Sequence, residues 1–304
     1  MRAIGAEELR ELLSMTGAID ALEAGFRDGD PSSTPPRSSV DTPAGSLLLM
    51  PTSGDAGVGV KLVALTPSNP ERGLPFIHAV YVLFDGSTQT PEAVIDGSAL
   101  TALRTAAVSG LATRHLARPD ARRLVIFGAG VQASSHLEAM LAVRPIEHVA
   151  IVSRTLAHAE ALVDRARGMG VEASVGEPGT VADCDLVCTC TTSAAPLFDG
   201  EALAGGTHVN AVGTHLPDAR ELDTATVSRA KVVVETREAA LQEAGDLLIP
   251  IGEGVIGPER VLADLKELVT GAVVRTSPED VTVFKSVGIA FEDLIVARAA
   301  VEAA

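Results

Sequence analysis

Aromatic residues are scarce in this sequence. Its 304 residues include no tryptophan, one tyrosine and seven phenylalanines, so aromatic side chains make up only 3%, whereas hydrophobic residues as a whole make up 46%. A core of this composition consists of alanine, valine, leucine and isoleucine, which is typical of parallel sheets covered by helices. Because the length allows one large or two moderate domains, we expect an α/β protein of two domains.

Positive charge is also scarce, since 24 basic residues stand against 40 acidic ones and the formal net charge is −16. Such a charge repels nucleic acids and anionic membranes, so we expect no partner of either kind. The sequence has no apolar run of transmembrane length, and its first residues lack the apolar core of a signal peptide. The sequence thus predicts a cytoplasmic protein that binds small anions through a few local arginines and lysines.

Cysteines are few and lie close together, at Cys184, Cys188 and Cys190. In an extended strand this spacing is too short for a useful disulfide. It also differs from the Cys-x-x-Cys spacing of zinc and redox sites, and no histidine cluster accompanies it. We therefore expect small, buried, reduced thiols and no metal.

Hydrophobic spacing predicts a first region of helices and mixed or antiparallel strands. Its predicted elements are a helix over residues 6–27, strands near 46–50, 58–65 and 78–84, and an alanine-rich helix over 97–117. Pro119 ends that last helix and marks the predicted domain boundary.

From residue 122 to residue 235, strand and helix patterns alternate, which predicts right-handed crossovers and a doubly wound parallel sheet. A strand near residues 281–284 and an apolar helix over 288–304 follow. We expect this last helix to pack back onto the first domain. The predicted fold is therefore α/β, with a Rossmann domain over residues 119–284 and an α+β domain over residues 1–118 and 285–304.

The start of the Rossmann region carries a glycine-rich turn. Between an apolar strand and a helix, the residues are Gly128, Ala129, Gly130, Val131, Gln132 and Ala133. In that context the pattern predicts a pyrophosphate-binding turn, in which Gly128 permits the tight bend and Gly130 lets the backbone approach the phosphates. An ordinary strand-to-helix turn is the alternative. We predict that residues 128–132 bind a nicotinamide dinucleotide at the amino end of the helix.

The end of the second strand distinguishes the two nicotinamide cofactors, because NAD enzymes tend to carry an acid there for the ribose hydroxyls. This sequence has Ser153, Arg154 and Thr155 instead, with no carboxylate before Glu160. The planar fork of Arg154 suits the 2′-phosphate of NADP, and the two hydroxyls can add hydrogen bonds. A solvated surface arginine is the alternative. The sequence favours NADP(H) and leaves NAD(H) possible.

Two later strand ends are expected to complete the dinucleotide site. Thr191 follows the fourth strand of the region, and Val212 and Gly213 follow the fifth. The carboxyl ends of parallel strands are where ligands bind in open α/β sheets. Ordinary loops are the alternative for each.

Segments spread over nearly the whole chain have the order and spacing of a known family. They are Gly59-Val-Lys61-Leu-Val63, Gly73-Leu-Pro75 with His78, Asp96-Gly97, Leu103-Arg104-Thr105-Ala-Ala107, the Gly128 turn with Gln132 and His136, Gly213 with Pro217 and Arg220-Glu221-Leu222, and Phe284-Lys-Ser286-Val-Gly288. In these segments the chain resembles the ornithine cyclodeaminase and mu-crystallin family.

The resemblance implies a homodimer whose first domain, completed by the C-terminal helix, supplies the dimer contact and the substrate pocket. It also implies that the middle domain binds nicotinamide dinucleotide, with Ser286 and Gly288 among the contacts. Family members cyclise ornithine or lysine, reduce imino acids, or interconvert an amino acid with its oxo acid. The expected substrate is therefore a small amino or imino acid.

By the same resemblance, Arg37, Lys61 and Arg104 match the positions that hold the substrate carboxylate. Arg104 stands in an otherwise apolar helix, where an unpaired guanidinium would be unfavourable, so a carboxylate ligand or an internal ion pair must accompany it. Lys61 has apolar neighbours on its strand and could exchange a proton with the substrate nitrogen. Its alternative is a lysine that reaches the sheet edge. Arg37 lies in a proline-rich loop, where a solvated arginine is the alternative.

His215 departs from the family pattern. Cyclodeaminases and archaeal alanine dehydrogenases of this family have an aspartate at the corresponding place before Pro217. A histidine lacks that fixed negative charge but can act as a general base or donate a hydrogen bond, or it only shapes the loop. The departure argues against ornithine cyclodeaminase activity. His78 and His136 are assigned no chemical role.

These residues together predict an NADP-dependent imino acid or cyclic ketimine reductase, or an amino acid dehydrogenase. Lys61, Arg104 and His215 are the expected catalytic residues. One alternative is an ornithine or lysine cyclodeaminase with bound NAD. The other is a crystallin-like protein that binds NADPH without turnover.

Overall fold

The computed structural model describes residues 1–304, apart from the side chain of Pro70. The chain divides into two compact units, Met1–Ala107 with Ile289–Ala304, and Val108–Gly288. The sequence places the division at Pro119 and after residue 284. The first of these limits differs because one helix starts in the first unit and continues, without a break, into the second.

The elements are numbered in chain order. The helices of the described chain are α1 (Ala6–Leu12), α2 (Met15–Asp28), α3 (Gly97–Leu116), α4 (Val131–Val143), α5 (Leu156–Gly168), α6 (Thr224–Arg229), α7 (Arg237–Glu243), α8 (Gly245–Gly252), α9 (Leu265–Val269) and α10 (Ala290–Glu302). The strands are β1 (Arg2–Ile4), β2 (Ser38–Thr42), β3 (Gly45–Gly54), β4 (Gly57–Leu65), β5 (Ile77–Phe84), β6 (Pro91–Asp96), β7 (Arg123–Phe127), β8 (His148–Val152), β9 (Glu172–Val175), β10 (Leu186–Thr189), β11 (His208–Ala211), β12 (Lys231–Val234), β13 (Val261–Asp264) and β14 (Thr282–Lys285).

The first unit contains a six-stranded sheet in the order β1-β6-β5-β4-β3-β2. Strands β2 to β6 pair antiparallel with their neighbours, and β1 joins the edge parallel to β6. The structure confirms the three strands that the hydrophobic pattern predicts and adds β1, β2 and β6, which are short or lie next to proline. This region is therefore the mixed sheet that the sequence predicts.

One prediction for the first unit is wrong, because residues 6–27 do not form a single helix. The backbone is extended at Leu13, which ends α1. Ser14 then begins α2, and its side chain accepts a hydrogen bond from the Gly17 N–H at 3.1 Å. Serine is a favoured helix-capping residue, and this capping signal outweighs the continuous apolar spacing.

The two faces of the first sheet differ in burial. On one face the side chains of Met50, Lys61, Val63, Tyr81 and Leu83 are buried, and α10 packs against β3, β4 and β5 there. On the other face, apolar residues are only half-buried. They include Leu47, Leu49, Val60, Leu62 and Val82.

The second unit contains an eight-stranded sheet in the order β13-β12-β14-β11-β10-β7-β8-β9, and all its strand pairs are parallel. The chain runs from β7 outward through β8 and β9, then returns to the other side of β7 at β10. That reversal creates a switch point at the carboxyl ends of β7 and β10, where open α/β sheets bind ligands. The doubly wound Rossmann prediction is confirmed.

Candidate active site

The glycine-rich turn follows β7 directly. Gly128 has a φ of +103°, a conformation that residues with a Cβ atom rarely adopt, and a Cβ there would press on the carbonyl group of Cys190. The Gly128 N–H donates to the Val152 carbonyl at 2.8 Å, which ties the turn to β8. Glycine is therefore required at this position by the backbone of the second unit itself.

Gly130 differs from Gly128, because nothing in the described chain lies within 4 Å of the place where its Cβ would be. It is the N-cap of α4, and no side chain accepts hydrogen bonds from the first turn of that helix. The first backbone N–H groups of a helix need acceptors and favour an anion. An open approach to an uncapped helix terminus fits a dinucleotide pyrophosphate, which residues 128–132 would hold.

At the end of β8, Arg154 and Thr155 are exposed and Ser153 is half-buried. The Thr155 N–H lies 3.4 Å from Ser153 Oγ. Within the described residues, the guanidinium of Arg154 makes no hydrogen bond and no ion pair, so no protein acid neutralises this charge. A cation in this state at this strand end suits a phosphate group.

Glu221, a buried acid, belongs to the Arg220-Glu221-Leu222 motif, and the sequence pattern predicts no role for it. Its Oε1 accepts hydrogen bonds from the Thr191 N–H at 2.8 Å and from Thr191 Oγ1 at 2.6 Å. Its Oε2 accepts from Thr189 Oγ1 at 2.7 Å and from the Gly213 N–H at 2.8 Å. Burial raises the pKa of Glu221, and the Lys285 charge and these hydrogen bonds oppose that rise. This one side chain therefore fixes two of the predicted cofactor loops.

Glu235 plays a similar part for the residues that follow β14. Ser286 Oγ and the N–H groups of Val287 and Gly288 donate to its carboxylate at 2.6, 2.8 and 2.9 Å. The predicted cofactor residues Ser286 and Gly288 thus lie on a segment whose backbone is held by a buried acid. The remaining predicted residue, Val212, donates its N–H to the Thr189 carbonyl at 3.1 Å.

Lys285 and Asp246 form a fully buried ion pair of 2.7 Å in the second unit. Lys285 Nζ also donates to the Thr214 carbonyl at 2.7 Å, and Asp246 accepts from the N–H groups of Glu221 and Leu222, each at 2.8 Å. The pair therefore anchors the loop that carries the half-buried His215.

The first unit holds a second group of charges, which involves Lys61 and Arg104. Lys61 Nζ lies 2.9 Å from Asp293 Oδ1 and 2.8 Å from Asp293 Oδ2. Arg104 Nη1 donates to Glu292 Oε2 at 2.6 Å, and its Nε lies 3.2 Å from Asp293 Oδ1. All four side chains are buried. Asp293 is therefore a counterion shared by both cations.

The environment of Lys61 changes its acidity. Burial, and next the charges of Arg104 and Arg37, lower the pKa of Lys61 to about 8, although Asp293 opposes the change. The Arg37 charge therefore acts on the same site as Arg104, so all three cations selected from the sequence of the first unit influence the environment of Lys61. A lysine with this pKa carries a proton at neutral pH and releases it more readily than an exposed lysine does.

The structure decides between structural alternatives for these two cations. Lys61 is 1% exposed and does not reach the sheet edge. Arg104 has the internal ion pairs that were its structural alternative, and both acids come from α10. Glu292 and Asp293 were missed, although acids in an apolar helix give the same signal that selects Arg104.

Other titratable groups are held in neutral forms. His136 is buried, its ring nitrogens contact the Gln132 carbonyl at 2.8 Å and Ser109 Oγ at 2.9 Å, and burial lowers its pKa to about 4. Burial raises the thiol pKa of Cys184 and Cys188 to about 12. These residues are therefore part of the second unit's packing, as the sequence analysis expects.

Comparisons with known proteins identify the family of this chain. A family model described as the ornithine cyclodeaminase/mu-crystallin family matches residues 3–304. A Delta(1)-pyrroline-2-carboxylate reductase of Bacillus cereus is 37% identical over 98% of this chain and 95% of its own.

Two solved structures are also similar. The Thermococcus litoralis Delta(1)-pyrroline-2-carboxylate reductase, in complex with NADH and L-proline, is 35% identical with a TM-score of 0.94 and covers 100% of this chain and 97% of its own. An archaeal alanine dehydrogenase dimer with bound NAD is 33% identical with a TM-score of 0.93, over 100% and 95% of the two chains. The chain belongs to the ornithine cyclodeaminase/mu-crystallin family.

Proposed function

We propose that the protein is an imino acid reductase that uses a nicotinamide dinucleotide. Its first candidate substrate is Δ1-pyrroline-2-carboxylate, the cyclic imino acid that similar enzymes are named for. The observation that carries the proposal is the buried pair of cations, Lys61 and Arg104, around the shared Asp293. An imino acid substrate needs both a fixed cation that binds its carboxylate and a second cation that can give a proton to its nitrogen.

The residues of the first unit have separate tasks in this reaction. Arg104 and Arg37 bind the carboxylate, because a guanidinium matches a carboxylate in shape and charge. Lys61 donates a proton to the substrate nitrogen, and its pKa near 8 makes that transfer efficient at neutral pH. Asp293 keeps Lys61 in its protonated form until the substrate is bound.

The second unit is proposed to hold the dinucleotide at the Gly128 turn, the end of β8 and the loops fixed by Glu221 and Glu235. When bound, the dinucleotide supplies the hydride that reduces the imine carbon. Arg154 favours NADP(H), because it is an exposed cation without a protein acid beside it. The similar solved structures contain NADH or NAD, so preference for the phosphorylated cofactor is a specific proposal for this chain.

A homodimer is proposed for the assembled enzyme. The half-buried apolar face of the first sheet supports it, because contiguous apolar surface of this kind is typical of contacts between subunits. The similar alanine dehydrogenase is a dimer. Among the described helices none is both long and apolar enough to cross a membrane.

A dinucleotide oxidation screen tests the function. The purified protein is incubated with NADPH, and separately with NADH, and with pyrroline-2-carboxylate, piperideine-2-carboxylate, or oxo acids plus ammonia or methylamine. We expect the fastest oxidation with pyrroline-2-carboxylate and NADPH. Release of ammonia from ornithine or lysine without net dinucleotide turnover would establish a cyclodeaminase instead. Binding of NADPH without oxidation by any of these substrates would establish a protein without turnover.

A further inference from the structure

Tyr81 is the only tyrosine of the chain, and the chain has no tryptophan. Its side chain is fully buried, and its hydroxyl has no hydrogen-bond partner among the described residues. Burial, and next the charge of Asp293, raise its pKa well above the usual value, so the hydroxyl keeps its proton. The structure therefore contains a buried hydrogen-bond donor that is not used in this state.

The position of this hydroxyl is specified by two neighbours in the sheet. Tyr81 on β5 is the direct partner of Lys61 on β4, so the two side chains lie on the same buried face. Gly59 lies two residues before Lys61, and a Cβ at Gly59 would overlap the Tyr81 hydroxyl. Gly59 has no positive φ, so its backbone does not require glycine. A glycine inside a strand weakens that strand, and here it makes room for the hydroxyl.

A buried hydroxyl without a partner is unfavourable, and phenylalanine would fill the same space without that penalty. The hydroxyl is explained if it has a partner in another state of the site. Asp293 is the candidate acceptor, because Lys61 is the direct cross-strand partner of Tyr81 and its Nζ lies 2.9 and 2.8 Å from the two Asp293 oxygens. The Asp293 charge also raises the pKa of Tyr81.

We propose that Tyr81 donates a hydrogen bond to Asp293 after Lys61 has given its proton to the substrate nitrogen. At that moment Lys61 becomes a neutral amine and no longer balances the Asp293 carboxylate. The Tyr81 hydroxyl then donates a hydrogen bond to that carboxylate, and its proton stays on tyrosine. Tyr81 is thus a positioning residue, and this step rests on the proposed role of Lys61.

The other charged groups around this site do not replace Tyr81. Arg104 on α3 contacts both Glu292 and Asp293, so it contributes to the balance before and after the proton transfer. Arg298 on α10 forms an ion pair with Glu92 at 2.6 Å. Arg37 acts on Lys61 as a second like charge. What changes at Asp293 is the loss of one of its two cations, and Tyr81 is an unused donor on the same buried face.

Because Tyr81 is the only strongly absorbing aromatic residue, its spectrum tests the proposal without any enzyme assay. In Lys61→Met, Asp293 has lost the lysine, so the Tyr81 hydroxyl should donate a hydrogen bond to it permanently. We therefore expect the tyrosine absorbance to move to longer wavelength and the tyrosine emission to be quenched. The double variant Lys61→Met/Asp293→Asn should return to the wild-type spectrum. Lys285→Met, which removes the other fully buried lysine, is the matched control and should leave the spectrum unchanged.

An unchanged spectrum in folded Lys61→Met would overturn the proposal, and so would an equal change in Lys285→Met. These outcomes do not depend on reductase activity, so a failure of the proposed function remains distinguishable from a failure of this inference.

Tyr81→Phe supplies a second test, because it keeps the shape of the side chain. We expect kcat to fall on the order of tenfold or more with little change in KM, since the lost hydrogen bond to a charged group forms only after binding. The thermal unfolding temperature should stay the same or rise. Wild-type kcat together with a lower unfolding temperature would show that the hydroxyl is only structural.

Discussion

The two units use buried charge in different ways. In the first unit, the charges of Lys61, Arg104, Glu292 and Asp293 contact one another through side chains alone. In the second unit, Glu221 instead accepts hydrogen bonds from backbone N–H groups and hydroxyls of two loops. A contact between two side chains can rearrange without moving the backbone, whereas a bond to a backbone N–H fixes the loop.

That difference separates chemistry from positioning. Changes to the side-chain network of the first unit should alter the rate of the reaction and leave dinucleotide binding intact. Changes to the buried glutamates of the second unit should weaken dinucleotide binding and stability together. The following experiments test this division, from the largest expected effect to the smallest.

Replacing Lys61 by methionine should have the largest effect, because it removes the proposed proton donor. We expect kcat/KM for pyrroline-2-carboxylate to fall on the order of 10²–10⁴-fold, as is typical for the loss of a general acid. Dinucleotide affinity, measured by fluorescence titration, should stay within about twofold. Lys266→Met on α9 is the control and should keep wild-type activity. A large loss of dinucleotide affinity in Lys61→Met would contradict the division.

Replacing Glu221 by glutamine should instead weaken dinucleotide binding. Each carboxylate oxygen accepts two hydrogen bonds, so either orientation of the amide places its NH₂ group against two donors. An unsatisfied buried group costs about 1–3 kcal/mol. Where this penalty falls on the dinucleotide-bound state, it raises the dinucleotide Kd roughly ten- to a hundredfold.

The thermal unfolding temperature of Glu221→Gln should fall as well. Glu238→Gln, at an exposed position of α7, is the matched control and should change neither quantity. If Glu221→Gln bound dinucleotide normally, the carboxylate would not be positioning the loops.

The pH dependence follows from Lys61, whose pKa lies at about 8. As a proton donor it must be protonated, so kcat/KM should fall about tenfold per pH unit above that value. Lys61→Arg should lose activity much as Lys61→Met does, because arginine stays protonated and does not give its proton to the substrate, and its residual kcat/KM should show no decline near pH 8. A decline at the same pH in Lys61→Arg would assign it to another group.

Stability should change with pH in the opposite direction. The pKa of Lys61 is lower in the folded chain than its ordinary 10.5, so the unfolded chain binds more protons between about pH 8 and pH 10.5. Its contribution to the free energy of unfolding therefore rises through that window and is least favourable below it. Denaturant titrations of wild type and Lys61→Met should differ in slope against pH there.

The smallest effect concerns Arg154. Replacing it by alanine should weaken NADPH binding by several-fold to about tenfold, since an exposed charge-assisted hydrogen bond is partly screened by solvent. Affinity for NADH should not change, and raising the salt concentration should reduce the difference between wild type and variant. Equal loss of both cofactors would remove the argument for NADP preference.

The sequence was most informative where a local pattern had a local cause. The Gly128 turn was predictable because its strand, glycines and helix are adjacent in the chain. Lys61 and Arg104 were selected because each is a charge among apolar neighbours. The sequence could not pair them with Glu292 and Asp293, since the contact between Arg104 and Glu292 spans 188 residues.

Other features depend on the tertiary structure alone. Nothing in the pattern around Tyr81 indicates that its hydroxyl lies against Gly59, because that contact depends on strand register. The break between α1 and α2 was masked by a continuous apolar stripe, although Ser14 carried the capping signal. Glu221 was visible in a motif, but its four hydrogen bonds come from loops that the sequence does not place.

If the uncapped amino end of α4 holds the dinucleotide as proposed, binding there should lengthen the lifetime of the protein in a cell. A dinucleotide that binds there stabilises only the folded chain, and a hundredfold excess of free dinucleotide over Kd adds about 2.7 kcal/mol. Proteases degrade the transiently unfolded chain, and this stabilisation lowers the unfolded population about a hundredfold. The abundance of the protein is therefore expected to follow the cellular dinucleotide pool, which would couple the capacity for imine reduction to redox supply without any change in gene expression.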